Sequence, residues 1–248
     1  MKIDVLTLFP GMFDAVLGES IIKRAIASGK VHVKAHNIRD YSKNKHKKVD
    51  DKPFGGGPGM VMNPGPVLDC VKAVKSKNKS TQVILMSPQG EVFTQSKAHE
   101  LSLKKSITII SGHYEGIDER IRSVVDAEIS IGDYILTGGE IPAMVVVDAI
   151  VRLIPGVLGH SESSVEESFS NGLPRTKKKR KYGSLVRGLL EYPQYTRPAV
   201  YKQSKVPDVL LSGNHKLINS WRRKMSISRT ISKRPDLIKN IKQLEMGE

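Results

Sequence analysis

Ile107-Thr-Ile-Ile110 is followed almost at once by Gly112-His-Tyr-Glu-Gly116. The first stretch is β-prone and apolar without alternating with polar residues, so it reads as a strand covered on both faces. The second is a glycine turn at the strand's carboxyl end. The same pairing occurs twice more. Val83–Met86 leads into Ser87-Pro-Gln-Gly90, and Ala127–Ile131 leads into Gly132-Asp-Tyr-Ile-Leu-Thr-Gly-Gly139.

Outward from these strands the pattern alternates. Lys2–Phe9 reads as a strand, and Pro10 to about Ser28 as a helix with a break near Gly18. Val31, Val33 and Ala35 alternate with polar residues, as in a half-covered strand. Asn37–Pro66 reads as a long, polar, glycine-rich loop, a length usually kept for function. Helices are expected over Pro66–Lys75, Thr94–Leu103 and the strongly apolar Glu140–Leu153. Strand and helix in turn, with buried strands, predict an α/β domain around a parallel sheet. Its ligand belongs outside the carboxyl ends of the strands, where the three glycine turns lie.

The texture changes after Pro155. Residues to about Pro193 are rich in Ser, Gly, Glu and then Lys, as in a linker. Asn214–Met225 and Pro235–Met246 carry helical spacing with many Lys and Arg. The expected organisation is an α/β domain over 1–159, a flexible linker with a basic run over 160–192, and a helical domain over 193–248.

Forty Lys and Arg against 25 Asp and Glu leave a net charge of +15 over 248 residues. That balance points to a polyanionic partner. The single cysteine, Cys70, excludes an internal disulfide and a four-cysteine zinc site. No secretory leader is visible at Met1-Lys2-Ile3-Asp4, and the longest apolar run, near Ile141–Ile154, is broken by Asp148 and Arg152. A soluble cytoplasmic protein is expected. The chain lacks the P-loop, the dinucleotide fingerprint, the H-E-x-x-H zinc motif and the G-x-S-x-G elbow.

Three glycine turns bring backbone N–H and C=O groups close to a ligand, because glycine has no Cβ in the way. Such groups read an adenine edge, and Ile131, Ile135 and Leu136 offer apolar cover for a flat ring. The plain alternative is that each is only a tight turn.

These turns, with Val49–Met60, Arg152–Gly159, Tyr195-Thr-Arg-Pro198 and Leu210–His215, resemble the bacterial tRNA (guanine-N1)-methyltransferase family of the TrmD type. The likeness runs in order from the first strand to the last helix. It implies the SPOUT fold, a trefoil knot at the C-terminal end of the α/β domain. It also implies a homodimer, S-adenosylmethionine as co-substrate, and methylation of N1 of the guanosine just 3′ of the tRNA anticodon. Magnesium is a supporting ion in that family; the sequence shows no cage for it. No membrane or DNA partner is expected.

Carried over by resemblance, the cofactor site comprises Pro88, Gly90, Gly112, Tyr114, Glu115, Ile131, Gly132, Asp133, Tyr134, Ile135, Leu136, Gly138, Gly139 and Pro142. His113 stands where relatives often have Arg, and reads as an RNA contact or, preferably, a turn filler.

Guanine N1 carries a proton at neutral pH, so its methylation needs a base, and negative charge then gathers on O6. The resemblance assigns the cation at O6 to Arg152 and the base to Glu167, where the family's usual motif has Asp. Neighbouring Glu166 competes for the same role, and both also read as a solvated acidic pair. Arg152 also reads as a cation complementing a helix C-terminus.

After Gly172-Leu173 the chain carries an insertion, Pro174–Arg187, that typical relatives lack. Its Lys177, Lys178, Lys179 and Arg180 read as phosphate contacts or a solubilising run. Arg222 and Arg223 are candidates for tRNA docking; Lys43–Lys52 and Lys72–Lys79 are further basic stretches. Trp221 reads as helix core, and Asn214 with His215 as a helix cap. Two rival functions remain at this stage: a SPOUT methylase acting on a ribose 2′-hydroxyl, and a non-catalytic RNA-binding protein.

Overall fold

The computed structural model describes residues 1–159, 167–170 and 188–238. The chain divides into two compact units, Met1–Gly159 and His160–Glu248.

The first unit is built on five parallel strands: β1 (Lys2–Thr7), β2 (His32–Asn37), β3 (Gln82–Val92), β4 (Ser106–Ser111) and β5 (Ala127–Ser130). Their order is β2-β1-β4-β3-β5. Successive side chains point to opposite faces of a strand, and both faces here are covered. Ile3, Val5, Ile84, Met86, Ile107, Ile109 and Ile129 bury into one core with α1 (Ser20–Ala27) and α4 (Glu140–Val151). Leu6, Val83, Leu85 and Ile110 bury into the other with α2 (Pro64–Lys77). This double burial is why the inner strands show no hydrophobic alternation, while β2 at the sheet edge keeps His32 and Lys34 exposed.

The expected elements are present, with edges shifted by a few residues. The segment after Pro10 breaks as anticipated: a 3-10 turn, a short helix to Leu17, then α1 from Ser20. Thr94 caps α3 (Gln95–Ser102) by accepting from the Lys97 N–H. The long Asn37–Pro66 stretch is more than a polar loop. Ile38, Val49 and Met62 from it are fully buried in the second core. Asp50–Asp51 and Val61–Met62 pair as a short antiparallel ribbon.

β3 does not stop at Met86. Both Met86 and Glu91 pair with Ile129, so Ser87–Gly90 loops out and the strand resumes beyond it. Gly90 is required there: a Cβ would overlap the Glu128 and Ile129 backbone.

In the second unit, α5 (His215–Lys233) extends eight residues past the expected Met225. Asn214 is its N-cap, accepting from the Leu217 N–H at 3.3 Å. The Leu190 N–H donates to Thr230 Oγ1 on this helix at 2.9 Å. Of the expected Pro235–Met246 helix, Pro235–Leu237 forms a 3-10 turn, and residues 239–248 lie outside the described residues. No described helix is long and apolar enough to cross a membrane.

Candidate active site

The carboxyl ends of β4, β3 and β5 are neighbours in the sheet, so the three glycine turns meet. They enclose a cavity of about 380 Å³. Pro88, Gly112, Tyr114, Glu115, Ile131, Gly132, Tyr134, Ile135, Leu136, Gly138, Gly139 and Pro142 line it, as expected. Gly90 and Asp133 do not. Gly90 instead lets the Ser87–Gly90 loop lie flat against β5.

Two of the turns are locked together through backbone. The Gly139 N–H donates to the Gly112 carbonyl at 2.7 Å. A Cβ on Gly139 would stand 2.8 Å from the Gly112 nitrogen and 2.9 Å from Ser111 Cα. Only glycine permits that approach.

His113 is not a mere turn filler. It lines the cavity, bridges to Gly138 and packs its ring 4.8 Å from that of Phe9. Its Nδ1 lies 3.4 Å from Glu140 Oε2. Glu140 is 2% exposed, and its other oxygen accepts from Thr7 Oγ1 at 2.8 Å. A carboxylate in the first turn of α4 is favoured by the helix dipole. Glu140 thereby ties β1, the Gly112–Gly116 turn and α4 to one point. No local sequence pattern announces this, because Thr7 and Glu140 are 133 positions apart.

A second tie escaped the sequence reading as well. Arg122 lines the cavity and donates through Nε to Glu119 at 2.8 Å and through Nη2 to Gln89 Oε1 at 3.0 Å. Its Nη1 pairs with Glu128. One guanidinium thus fixes the looped-out segment of β3 to β5, using its planar set of donors. The i,i+3 spacing of Glu119 and Arg122 was the only signal available in the sequence.

The rim is unusual for a solvent-facing loop. Ile135 is 80% exposed and Tyr134 55%. Exposed apolar side chains at the mouth of a cavity mark a surface that a ligand or partner covers. Backbone amides and carbonyls on one side and apolar side chains on the other suit a flat, polar-edged, partly apolar ligand. Among the described residues no group of three or more His, Cys, Asp or Glu is arranged to hold a metal.

Arg152 ends α4, its N–H donating to the Asp148 carbonyl at 3.2 Å. Glu167 belongs to the second unit, where its carbonyl accepts from the Ser170 N–H and hydroxyl. Glu166, Lys177, Lys178, Lys179 and Arg180 lie outside the described residues. Arg222 stacks its guanidinium 4.7 Å from the Tyr192 ring centre. Trp221 is half-buried, with its ring 6.4 Å from that of Tyr195.

The family model described as tRNA (Guanine-1)-methyltransferase TrmD matches residues 1–240. A tRNA (guanine-N(1)-)-methyltransferase of Caldanaerobacter subterraneus subsp. tengcongensis is 55% identical, with 96% of this chain and 92% of the relative covered. A protein of that name from Geobacillus kaustophilus is 54% identical, covering 96% and 91%. One from Staphylococcus epidermidis is 56% identical over the same shares.

Proposed function

Because the chain belongs to the TrmD family of tRNA (guanine-1)-methyltransferases, we propose that it methylates N1 of the guanosine immediately 3′ of the anticodon in tRNA, from S-adenosylmethionine. The observation that carries this reading is the convergence of three glycine turns on one cavity with an apolar rim. The trefoil knot of the SPOUT class belongs to the same reading.

S-adenosylmethionine would supply an electrophilic methyl there, and its leaving group, a neutral thioether, needs no acid. The backbone of the three turns would hold the adenine edge, with Ile131, Ile135 and Leu136 as apolar cover for its ring. Glu140 and Arg122 keep the turns in register. Glu167 removes the N1 proton. Arg152 faces the charge that collects on O6. The general base contributes on the order of 10²–10⁴-fold.

The partner is tRNA, with contacts from Arg222, Arg223 and the Lys177–Arg180 run. We also propose a homodimer. α4 is the most apolar helix, yet Ile141 and Val145, one turn apart, are 48% and 43% exposed. A second copy covers that stripe. A reducing, cytoplasmic setting fits the single, buried Cys70.

The test is methyl transfer from labelled S-adenosylmethionine to unmodified tRNA, with wild type beside Glu167→Gln and Glu166→Gln. N1-methylguanosine lost only in Glu167→Gln supports the assignment. Loss only in Glu166→Gln moves the base by one residue.

A further inference from the structure

The second unit holds a cavity of its own, about 410 Å³ in volume. Its walls include the aromatic residues Tyr192 and Tyr195, the aliphatic residues Leu210, Leu211 and Ile218, and Arg222. Three features make it more than a surface dent. Tyr195 is 49% and Leu211 59% exposed, so its apolar lining faces solvent. The Arg222 guanidinium is stacked on Tyr192, while its Nε is buried without a hydrogen-bond partner among the described residues. A buried donor left unsatisfied carries a desolvation cost that a ligand acceptor removes.

The third feature is charge. α5, which contributes Ile218 and Arg222 to the wall, carries Lys216, Arg222, Arg223, Lys224, Arg229 and Lys233 and no acidic residue. Arg197 adds another cation to the lining. An aromatic and aliphatic slot beside a cationic helix matches one chemistry closely: a flat heteroaromatic ring attached to a phosphate backbone. Single-stranded RNA is read this way, by splaying out bases and stacking them on aromatic rings and guanidinium planes.

We infer that this cavity receives one unstacked base of the tRNA substrate, stacked at Tyr195 and hydrogen-bonded to Arg222, while α5 meets the neighbouring phosphates. The inference rests on the tRNA reading above and adds a second point of base recognition, in the second unit. Phosphate contacts alone position an RNA; a base in a slot selects where its unpaired nucleotides fall.

The experiment uses the full chain and unmodified tRNA transcripts carrying 2-aminopurine at one unpaired position at a time. With wild type, one position besides that of the target guanosine changes fluorescence on binding. Tyr195→Ala abolishes that change and weakens tRNA binding roughly 10- to 100-fold. The slope of log affinity against log salt stays as in wild type, because no phosphate contact is lost. Tyr195→Phe keeps both the signal and the affinity. An abasic site at the responsive position weakens binding to wild type by the same factor, which makes the result independent of the variant's folding. Wild-type affinity and fluorescence in Tyr195→Ala would overturn the inference, as would a loss confined to the salt slope. A wild-type chain with no affinity for tRNA would instead overturn the substrate reading on which it rests.

Discussion

Gly139→Ala tests whether the cavity depends on two backbones in near contact. Gly139 has φ near −83°, a value alanine adopts freely, so space is the only obstacle. The new methyl meets the Gly112 nitrogen at 2.8 Å and Ser111 Cα at 2.9 Å. Both are backbone atoms, so no rotamer change relieves the overlap. The two turns must part until that gap reaches the 3.4 Å of ordinary contact. Parting them stretches the 2.7 Å bond from Gly139 to the Gly112 carbonyl. A lost hydrogen bond costs about 1 kcal/mol, and overpacking typically ~1–3 kcal/mol. The expected destabilisation is therefore about 2–4 kcal/mol, a fall in melting temperature of roughly 4–16 °C for a protein of this size. Because both turns line the cavity, S-adenosylmethionine binding weakens about tenfold, or ~1.4 kcal/mol. Gly65→Ala is the control: it lies in the first turn of α2 with nothing within 4 Å of its added Cβ. Thermal melting and calorimetric titration read both effects. A Gly139→Ala protein that melts and binds like wild type would refute the reasoning.

Glu167→Gln and Arg152→Gln should each lower the turnover rate by about 10²–10⁴-fold while tRNA and cofactor affinities stay within a few-fold of wild type; a rate loss explained by weaker binding would remove either from the chemistry. Val145→Asp places a charge in the apolar stripe of α4, and sedimentation should show monomer where wild type is dimeric; a monomeric wild type would contradict the proposed assembly. Asp4 supplies a pH test. Burial works to raise its carboxyl pKa, but the hydrogen bond from His36 at 2.7 Å and the Lys2 ammonium at 3.4 Å hold it below the ordinary value. A lowered folded-state pKa gives stability that is present above the unfolded value, about 3.9, and lost as pH falls through the folded one. The melting gap between wild type and Asp4→Asn should thus be wide at about pH 7 and close in acid below ~3.9; a gap that widens in acid would reverse the assignment.

The sheet was legible because burial on both faces removes alternation, and unbroken runs such as Ile107–Ile110 betray that directly. The meeting of the glycine turns was legible because they follow strands of one parallel sheet, and twelve of the expected residues line the cavity they form. What escaped notice shares one cause. Ile38, Val49 and Met62 are single apolar residues scattered through a polar stretch, and only tertiary contact makes them core. Glu140, His113 and Thr7 act as a group across sequence distances that no periodicity spans. Gln89 and Arg122 likewise meet only because Ser87–Gly90 loops out of β3, a bulge that no turn rule places between Met86 and Glu91. The proposed catalytic pair rests on resemblance alone; by itself, Glu167 beside Glu166 reads as a solvated acidic run.

The most direct test is the identity of the methylated nucleoside. Unmodified tRNA with guanosine 3′ of its anticodon would be incubated with the protein and methyl-labelled S-adenosylmethionine, digested to nucleosides and separated. The account predicts label in 1-methylguanosine at that single position. Label in a 2′-O-methylated nucleoside, or no transfer from a protein that binds the tRNA tightly, would contradict it.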